Sequence, residues 1–171
     1  SNQSSILELY SNNYAQTKAT CNVGLPEGEY YILIKRRPYG DYSSINYTLN
    51  VKYTQTTNWE TESNNTLLTS DKVDINTTNY GTILNNSDID WYSFSLPSNG
   101  YISVDFKHEM VESGDWKITL YYDEQSKMHE YYSGRYDQIV STCNIGLPAG
   151  SYYMTVEKRS SWDRSEERRV G

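Results

Sequence analysis

Apolar and polar residues alternate with a period of two over much of the chain. Tyr92, Phe94 and Leu96 take one side of a segment, with Trp91, Ser93 and Ser95 on the other. Ile102, Val104 and Phe106 alternate with Ser103 and Asp105, and Trp116, Ile118 and Leu120 with Lys117 and Thr119. Tyr152, Met154 and Val156 alternate with Tyr153, Thr155 and Glu157. Nearer the start, Tyr30, Ile32 and Ile34 share a face, as do Tyr47, Leu49, Val51 and Tyr53. Successive strand side chains point to opposite faces, so this pattern predicts antiparallel strands with one face buried and one wet. Turn residues separate the runs: Pro97-Ser98-Asn99-Gly100, Ser113-Gly114-Asp115, and a Leu-Pro-Xaa-Gly sequence before each Tyr-Tyr pair. No segment sustains a helical period. Short strands with Gly/Pro turns predict an all-β, antiparallel β-sandwich.

The chain repeats itself. TCNVGLPEGEYYILIKR begins at Thr20 and TCNIGLPAGSYYMTVEKR at Thr142, with the two cysteines 122 positions apart. A weaker match precedes it, Leu7–Tyr10 against Ile118–Tyr121. A period this long fits tandem globular modules and not a solenoid. The expected organisation is the C-terminal half of one module in residues 1–54, a nearly complete second module in 55–163, and a tail in 164–171. That tail, RSEERRVG, resembles the translation of a sequencing adapter and is read as non-native. Nothing after Trp162 matches INYTLNVKYT at Ile45–Thr54, which leaves an open sheet edge in the second module that Ile45–Tyr53 could fill. Cys21 and Cys143 occupy equivalent positions, which suits a small buried residue in each copy; the alternative is a disulfide between them.

Composition narrows the function. The chain carries 15 Lys and Arg against 22 Asp and Glu, for a net charge of −7. Such a surface repels phosphate backbones and disfavours nucleic acid, while it suits a cation. Mean hydropathy is −0.78, and no apolar run approaches the ~20 residues of a spanning helix, so membrane insertion by a helix is not expected. There are 18 Tyr and 4 Trp but only 2 Phe. These residues bury a ring while keeping a polar tip in water, which fits half-exposed strands.

The acidic residues suggest a metal. Glu60, Glu62 and Asn64 alternate, so an extended segment presents their oxygens on one side, and Asp88 and Asp90 share a side as well. Brought together, these groups form an oxygen-rich set suited to Ca²⁺, a hard ion with ~6–8 oxygen ligands. The plainer alternative is a solvated acidic linker followed by an Asp turn, with Asp90 capping the next strand through backbone hydrogen bonds. The 12-residue EF-hand loop is absent.

Other constellations carry less. His108-Glu109-Met110-Val111-Glu112 lacks the second histidine of a zinc-protease helix. No Gly-Xaa-Ser-Xaa-Gly elbow occurs, and neither His108 nor His129 sits in a recognisable catalytic context. Tyr121, Tyr122, Tyr131, Tyr132 and Tyr136 surround a polar connection and form a candidate ligand-binding surface for sugars or extended peptides, unless strand alternation turns half of them inward. The Asn-Xaa-Ser/Thr triplets, such as Asn46-Tyr47-Thr48 and Asn76-Thr77-Thr78, matter only in a eukaryotic secretory pathway.

Four elements occur in order: NWETESNNT from Asn58, YGTI from Tyr80, SDIDWYSFSLPSNGYISVDF from Ser87 and GLPAGSYYMTV from Gly146. Together they resemble the bacterial pre-peptidase C-terminal (PPC) domain family, which is related to the collagen-binding modules of clostridial collagenases. The resemblance implies a jelly-roll-like β-sandwich in a secreted or cell-surface bacterial protein. It also implies a non-catalytic accessory role: folding, spacing or attaching neighbouring domains of the parent protein. The second expectation is direct binding of an insoluble extracellular polymer, collagen-like protein or glycan, through the Tyr-rich surface; a hydrolase is the third. In the related modules Ca²⁺ is held by a Glu-Xaa-Glu-Xaa-Asn-Asp type segment and a later Asp. The matching positions are Glu60, Glu62, Asn64 and Asn65, with Asp88 or Asp90 as the later ligand. Asn65 stands where an Asp is common, which removes one negative charge.

Overall fold

A computed structural model describes residues 5–10, 20–35, 46–108, 115–134 and 139–159. Among them are nine strands and one short 3₁₀ turn, Leu67–Thr69. The strands are β1 (Asp71–Lys72), β2 (Ile89–Leu96), β3 (Gly100–Ile102), β4 (Asp105–Lys107), β5 (Asp115–Tyr121), β6 (Lys127–Ser133), β7 (Ile139–Ser141), β8 (Ile145–Leu147) and β9 (Gly150–Arg159).

One layer is a five-stranded sheet in the order β1-β2-β9-β5-β6. β2 runs antiparallel to β9, β9 to β5 and β5 to β6, while β1 joins the edge parallel to β2. The other layer is built from β3 with β8 and β4 with β7, both antiparallel. The two pairs continue one another, since Thr142 N–H donates to the Val104 carbonyl at 3.0 Å between them.

The core lies between the layers. Phe94, Leu120 and Tyr152 from the large sheet pack with Ile145 and Leu147 from β8. Tyr92, Ile118 and Val156 form a second cluster, against which Phe106 of β4 packs. In register, Tyr92 faces Met154 and Ile118 faces Val156, so the inward parity set by alternation holds across the sheet. The structure is thus the all-β antiparallel sandwich that the patterning predicts. The outer face carries Lys117, which pairs with Glu157 at 3.0 Å and with Glu130 at 3.6 Å on the two flanking strands. Trp91 and Tyr121 stack there, centroids 5.2 Å apart.

The first copy differs from the alternation reading. Tyr30–Lys35 and Asn46–Tyr53 form no strand, and Ile32, Leu33, Leu49 and Val51 are all exposed. Alternation marks a segment able to line a core, but a strand exists only where a neighbour supplies ladder hydrogen bonds and an apolar face. The turn of the repeat is nevertheless built alike in both copies. Tyr30 Oη donates to the Pro26 carbonyl at 2.7 Å, and Tyr152 Oη donates to the Pro148 carbonyl at 2.8 Å. Cys21 and Cys143 are free thiols and both exposed, which corrects the expectation of a buried residue and gives no support to the disulfide. Residues 160–171, including the tail read as non-native, lie outside the described residues.

Candidate metal centre

The segment Asn58–Asn65 lies against β2 and is tied down by backbone bonds. Trp91 N–H donates to the Asn64 carbonyl at 3.0 Å, and Glu60 N–H to the Tyr80 carbonyl at 2.8 Å. Trp59 stacks on Tyr80 with centroids 5.6 Å apart. The side chains of Glu60, Glu62 and Asn64 converge toward Asp90 at the start of β2. All three are buried, as are Asp88 and Asp90. The solvated-linker alternative therefore fails for these residues.

Carboxylate oxygens of Glu60, Glu62 and Asp90 lie within 4.8 Å of one another. Ca²⁺ holds oxygens at ~2.3–2.6 Å, so two ligands of one shell are at most about 5 Å apart, and this spacing fits. The donors are all oxygen, which favours a hard cation over zinc. Glu62 Oε1, Asn64 Oδ1 and Asp90 Oδ1 are buried and have no hydrogen-bond partner. Buried acceptors are normally satisfied, and leaving one bare costs ~1–3 kcal/mol, so three together call for a ligand. Among the described residues, the ion pairs are those of Lys117 and Lys127 on the outer face; none reaches these carboxylates.

Electrostatics agree. Burial pushes the Asp90 carboxyl up to about 9, helped by its hydrogen bond to Glu60 and by the charges of Glu60, Asp88 and Glu62. Burial likewise raises Glu62 to about 7, with Asp88, Glu60 and Asp71 adding repulsion. Glu60 is raised by burial, opposed in part by hydrogen bonds from Asp90, the Thr82 N–H and the Tyr92 hydroxyl. Asp90 thus holds a proton toward Glu60 where a cation would otherwise neutralise the pair.

The second tier holds these groups in place. The Tyr92 hydroxyl donates to Glu60 Oε2 at 2.9 Å, and Thr82 N–H donates to Glu60 Oε1. Asp71 Oδ2 accepts from Thr61 N–H at 2.7 Å and from the Asn64 amide at 3.2 Å, which fixes the Asn64 side chain. Gly81 touches the site through its bare Cα: a Cβ there would lie 2.5 Å from Glu60 Oε2 and 2.6 Å from Tyr92 Oη. Asn65 is exposed, and in the amide orientation that satisfies its neighbours it donates to Asp88 Oδ1 at 2.9 Å and to the Ile89 carbonyl at 3.2 Å. It steadies Asp88 and does not enter the cluster. Asp88 in turn accepts from Leu84 N–H at 2.5 Å.

Of the residues singled out in the sequence, the structure brings Glu60, Glu62, Asn64 and Asp90 together with Asp88 beside them and leaves Asn65 at the rim; Asp71, Tyr92, Gly81 and Thr82, which the sequence did not single out, surround them. The YGTI segment that carries Gly81 and Thr82 was visible as a motif, but nothing in it is a metal ligand, and Tyr92 reads as core from its parity.

The tyrosine set does not gather on one face. Tyr121 lies outside, half-buried against Trp91; Tyr132 is outside, with the Arg159 guanidinium 4.2 Å over its ring; Tyr122 is exposed and its ring neighbours Tyr152. Tyr131 packs inward against the core, because it faces Ile118 in register. Tyr136 lies outside the described residues. His108 Nε2 sits 2.7 Å from Ser133 Oγ, with both residues buried and no surface access to the serine.

No protein-family model matches the chain, and no curated protein matches it. Among solved structures, the chain is similar to the pre-peptidase C-terminal domain of collagenase from Bacillus anthracis. The identity is 22% and the TM-score 0.43, over 53% of this chain and 84% of that one.

Proposed function

We propose that residues 58–159 form a non-catalytic accessory module, stabilised by one Ca²⁺ held by Glu60, Glu62, Asn64 and Asp90 with Asp88 beside them. Its role is to fold, space or attach neighbouring domains of a secreted or cell-surface bacterial protein. The observation that carries the metal is the convergence of three buried carboxylates with three unpartnered oxygens, to which no ion pair reaches among the described residues. Calcium supplies the positive charge that this cluster lacks, and binding to the folded state alone raises stability by ~2.7 kcal/mol at a hundredfold excess over Kd. The accessory role rests on the resemblance of Asn58–Asp163 to PPC domains.

The test is isothermal titration with CaCl₂ on metal-free protein. One site per chain is expected, with binding abolished in Glu60→Gln and Asp90→Asn. Wild-type protein that takes up no Ca²⁺ refutes the metal.

A second reading, polymer binding, is favoured by the Trp91–Tyr121 stack on the outer face, since flat paired rings suit a sugar or an extended peptide. Retention on insoluble collagen, chitin or cellulose, lost in Trp91→Ala, supports it. Absence of retention on all three excludes it.

A further inference from the structure

The two copies of the Cys-Asn-Xaa-Gly-Leu-Pro sequence have different surroundings. In the second copy, a Cβ added to Gly146 would meet nothing within 4 Å. In the first, a Cβ added to Gly24 would overlap the Glu60 carbonyl oxygen and lie 2.7 Å from Trp59 Cδ1. The same glycine is therefore open in one copy and sterically required in the other.

Two hydrogen bonds accompany that contact. Glu62 N–H donates to the Gly24 carbonyl at 3.1 Å. Thr82 Oγ1 donates to the Asn22 carbonyl at 2.9 Å. Both donors belong to the walls of the acidic cluster: Glu62 supplies a carboxylate, and the Thr82 N–H holds the Glu60 carboxylate. Glu60 is thereby enclosed by two bare Cα atoms, Gly24 against its backbone and Gly81 against its carboxylate.

We propose that Asn22–Gly24 of the first copy is a backbone clamp on the metal site of the second, with Gly24 as the positioning residue that sets the Glu60–Glu62 arm. This rests on the calcium reading for its coupling to the ion, but the clamp itself is a contact of the protein alone. A cation pulling Glu60 and Glu62 together fixes the Glu62 N–H that the Gly24 carbonyl holds and, through the Thr82 N–H on the Glu60 carboxylate, the Thr82 hydroxyl that the Asn22 carbonyl holds. Ion binding and docking of the first copy's turn therefore favour one another, because each presents the arm in the geometry the other needs.

The experiment compares wild type, Gly24→Ala, Gly146→Ala and Thr82→Val by CaCl₂ titration and by amide hydrogen exchange. Outer contacts that orient metal ligands are worth ~10–100-fold in affinity, so Gly24→Ala is expected to weaken Ca²⁺ binding by about that factor. Gly146→Ala leaves it within about twofold, since no neighbour is displaced there. Thr82→Val, which removes one hydroxyl bond without adding bulk, weakens binding severalfold and serves if Gly24→Ala unfolds. Protection of the Glu62 amide falls in Gly24→Ala but not in Gly146→Ala. Equal affinities in Gly24→Ala, Thr82→Val and wild type overturn the coupling. Wild type that binds no Ca²⁺ overturns the calcium reading and the coupling with it; Glu62 amide protection then reports on the clamp alone, and unchanged protection in Gly24→Ala overturns that too.

Discussion

Raising the pH in the absence of divalent metal is the perturbation that isolates the acidic cluster. In the unfolded chain Glu62 and Asp90 lose their protons near 4.5 and 3.8; in the fold they do so at about 7 and about 9. Between those limits the metal-free folded state binds more protons than the unfolded one. Its stability is therefore full below pH 4 and is lost as pH rises through 7 and then 9. Asp90 alone keeps one excess proton across this range, a slope of about 1.4 kcal/mol per pH unit, so pH 5 to 7 removes at least about 3 kcal/mol, and Glu62 adds to the loss. For a unit of about 100 residues, 1 kcal/mol moves Tm by ~4–8 °C, which predicts a fall of about 10–20 °C. Calcium takes the place of the protons and flattens that slope, because its ligands must be ionised to bind it. The assay is circular-dichroism melting at pH 5, 6, 7 and 8, on metal-free protein and in millimolar CaCl₂. A metal-free Tm that holds or rises from pH 5 to 8 refutes the placement of these carboxylates, and an identical slope with calcium refutes the calcium proposal.

Asp90→Asn has opposite signs in the two states: it removes the need to protonate a buried carboxyl on folding, so at pH 8 the metal-free variant melts above wild type by several degrees, while the calcium-induced rise disappears in the same melts. Gly81→Ala forces a methyl against Glu60 and Tyr92, and overpacking of this kind costs ~1–3 kcal/mol, read as a lower urea midpoint with unchanged m-value. Leu120→Ala empties a fully buried position between the layers, and urea unfolding should show a loss of ~2–5 kcal/mol with or without calcium.

Alternation carried the large sheet: β2, β5 and β9 fall where Tyr92–Leu96, Trp116–Leu120 and Tyr152–Val156 alternate. It also singled out Glu60, Glu62 and Asn64, whose side chains the structure buries together near Asp90. It did not carry β1, whose two residues hold no pattern, or the break between β3 and β4, where Ser103 and Val104 leave the ladder. It overreached at Tyr30–Lys35 and Tyr47–Tyr53, where apolar side chains alternate with no partner to cover them. The second tier was illegible for another reason. Asp71, Thr82 and Tyr92 act through hydrogen bonds between segments distant in sequence, and Gly81 through the space it leaves empty. Neither property belongs to a residue type at a spacing.

The hydroxyl bond from Tyr30 to Pro26 closes within five residues, in a stretch that has no sheet around it. Its twin, Tyr152 to Pro148, sits at the head of the central strand β9. The corner is thus self-sufficient. Closing a loop this short takes ~10–100 ns or less, ahead of any cross-strand ladder. Each copy carries its own seed, a bend shaped before the strand behind it finds neighbours, so the first event in assembling such a chain is local and repeats once per copy.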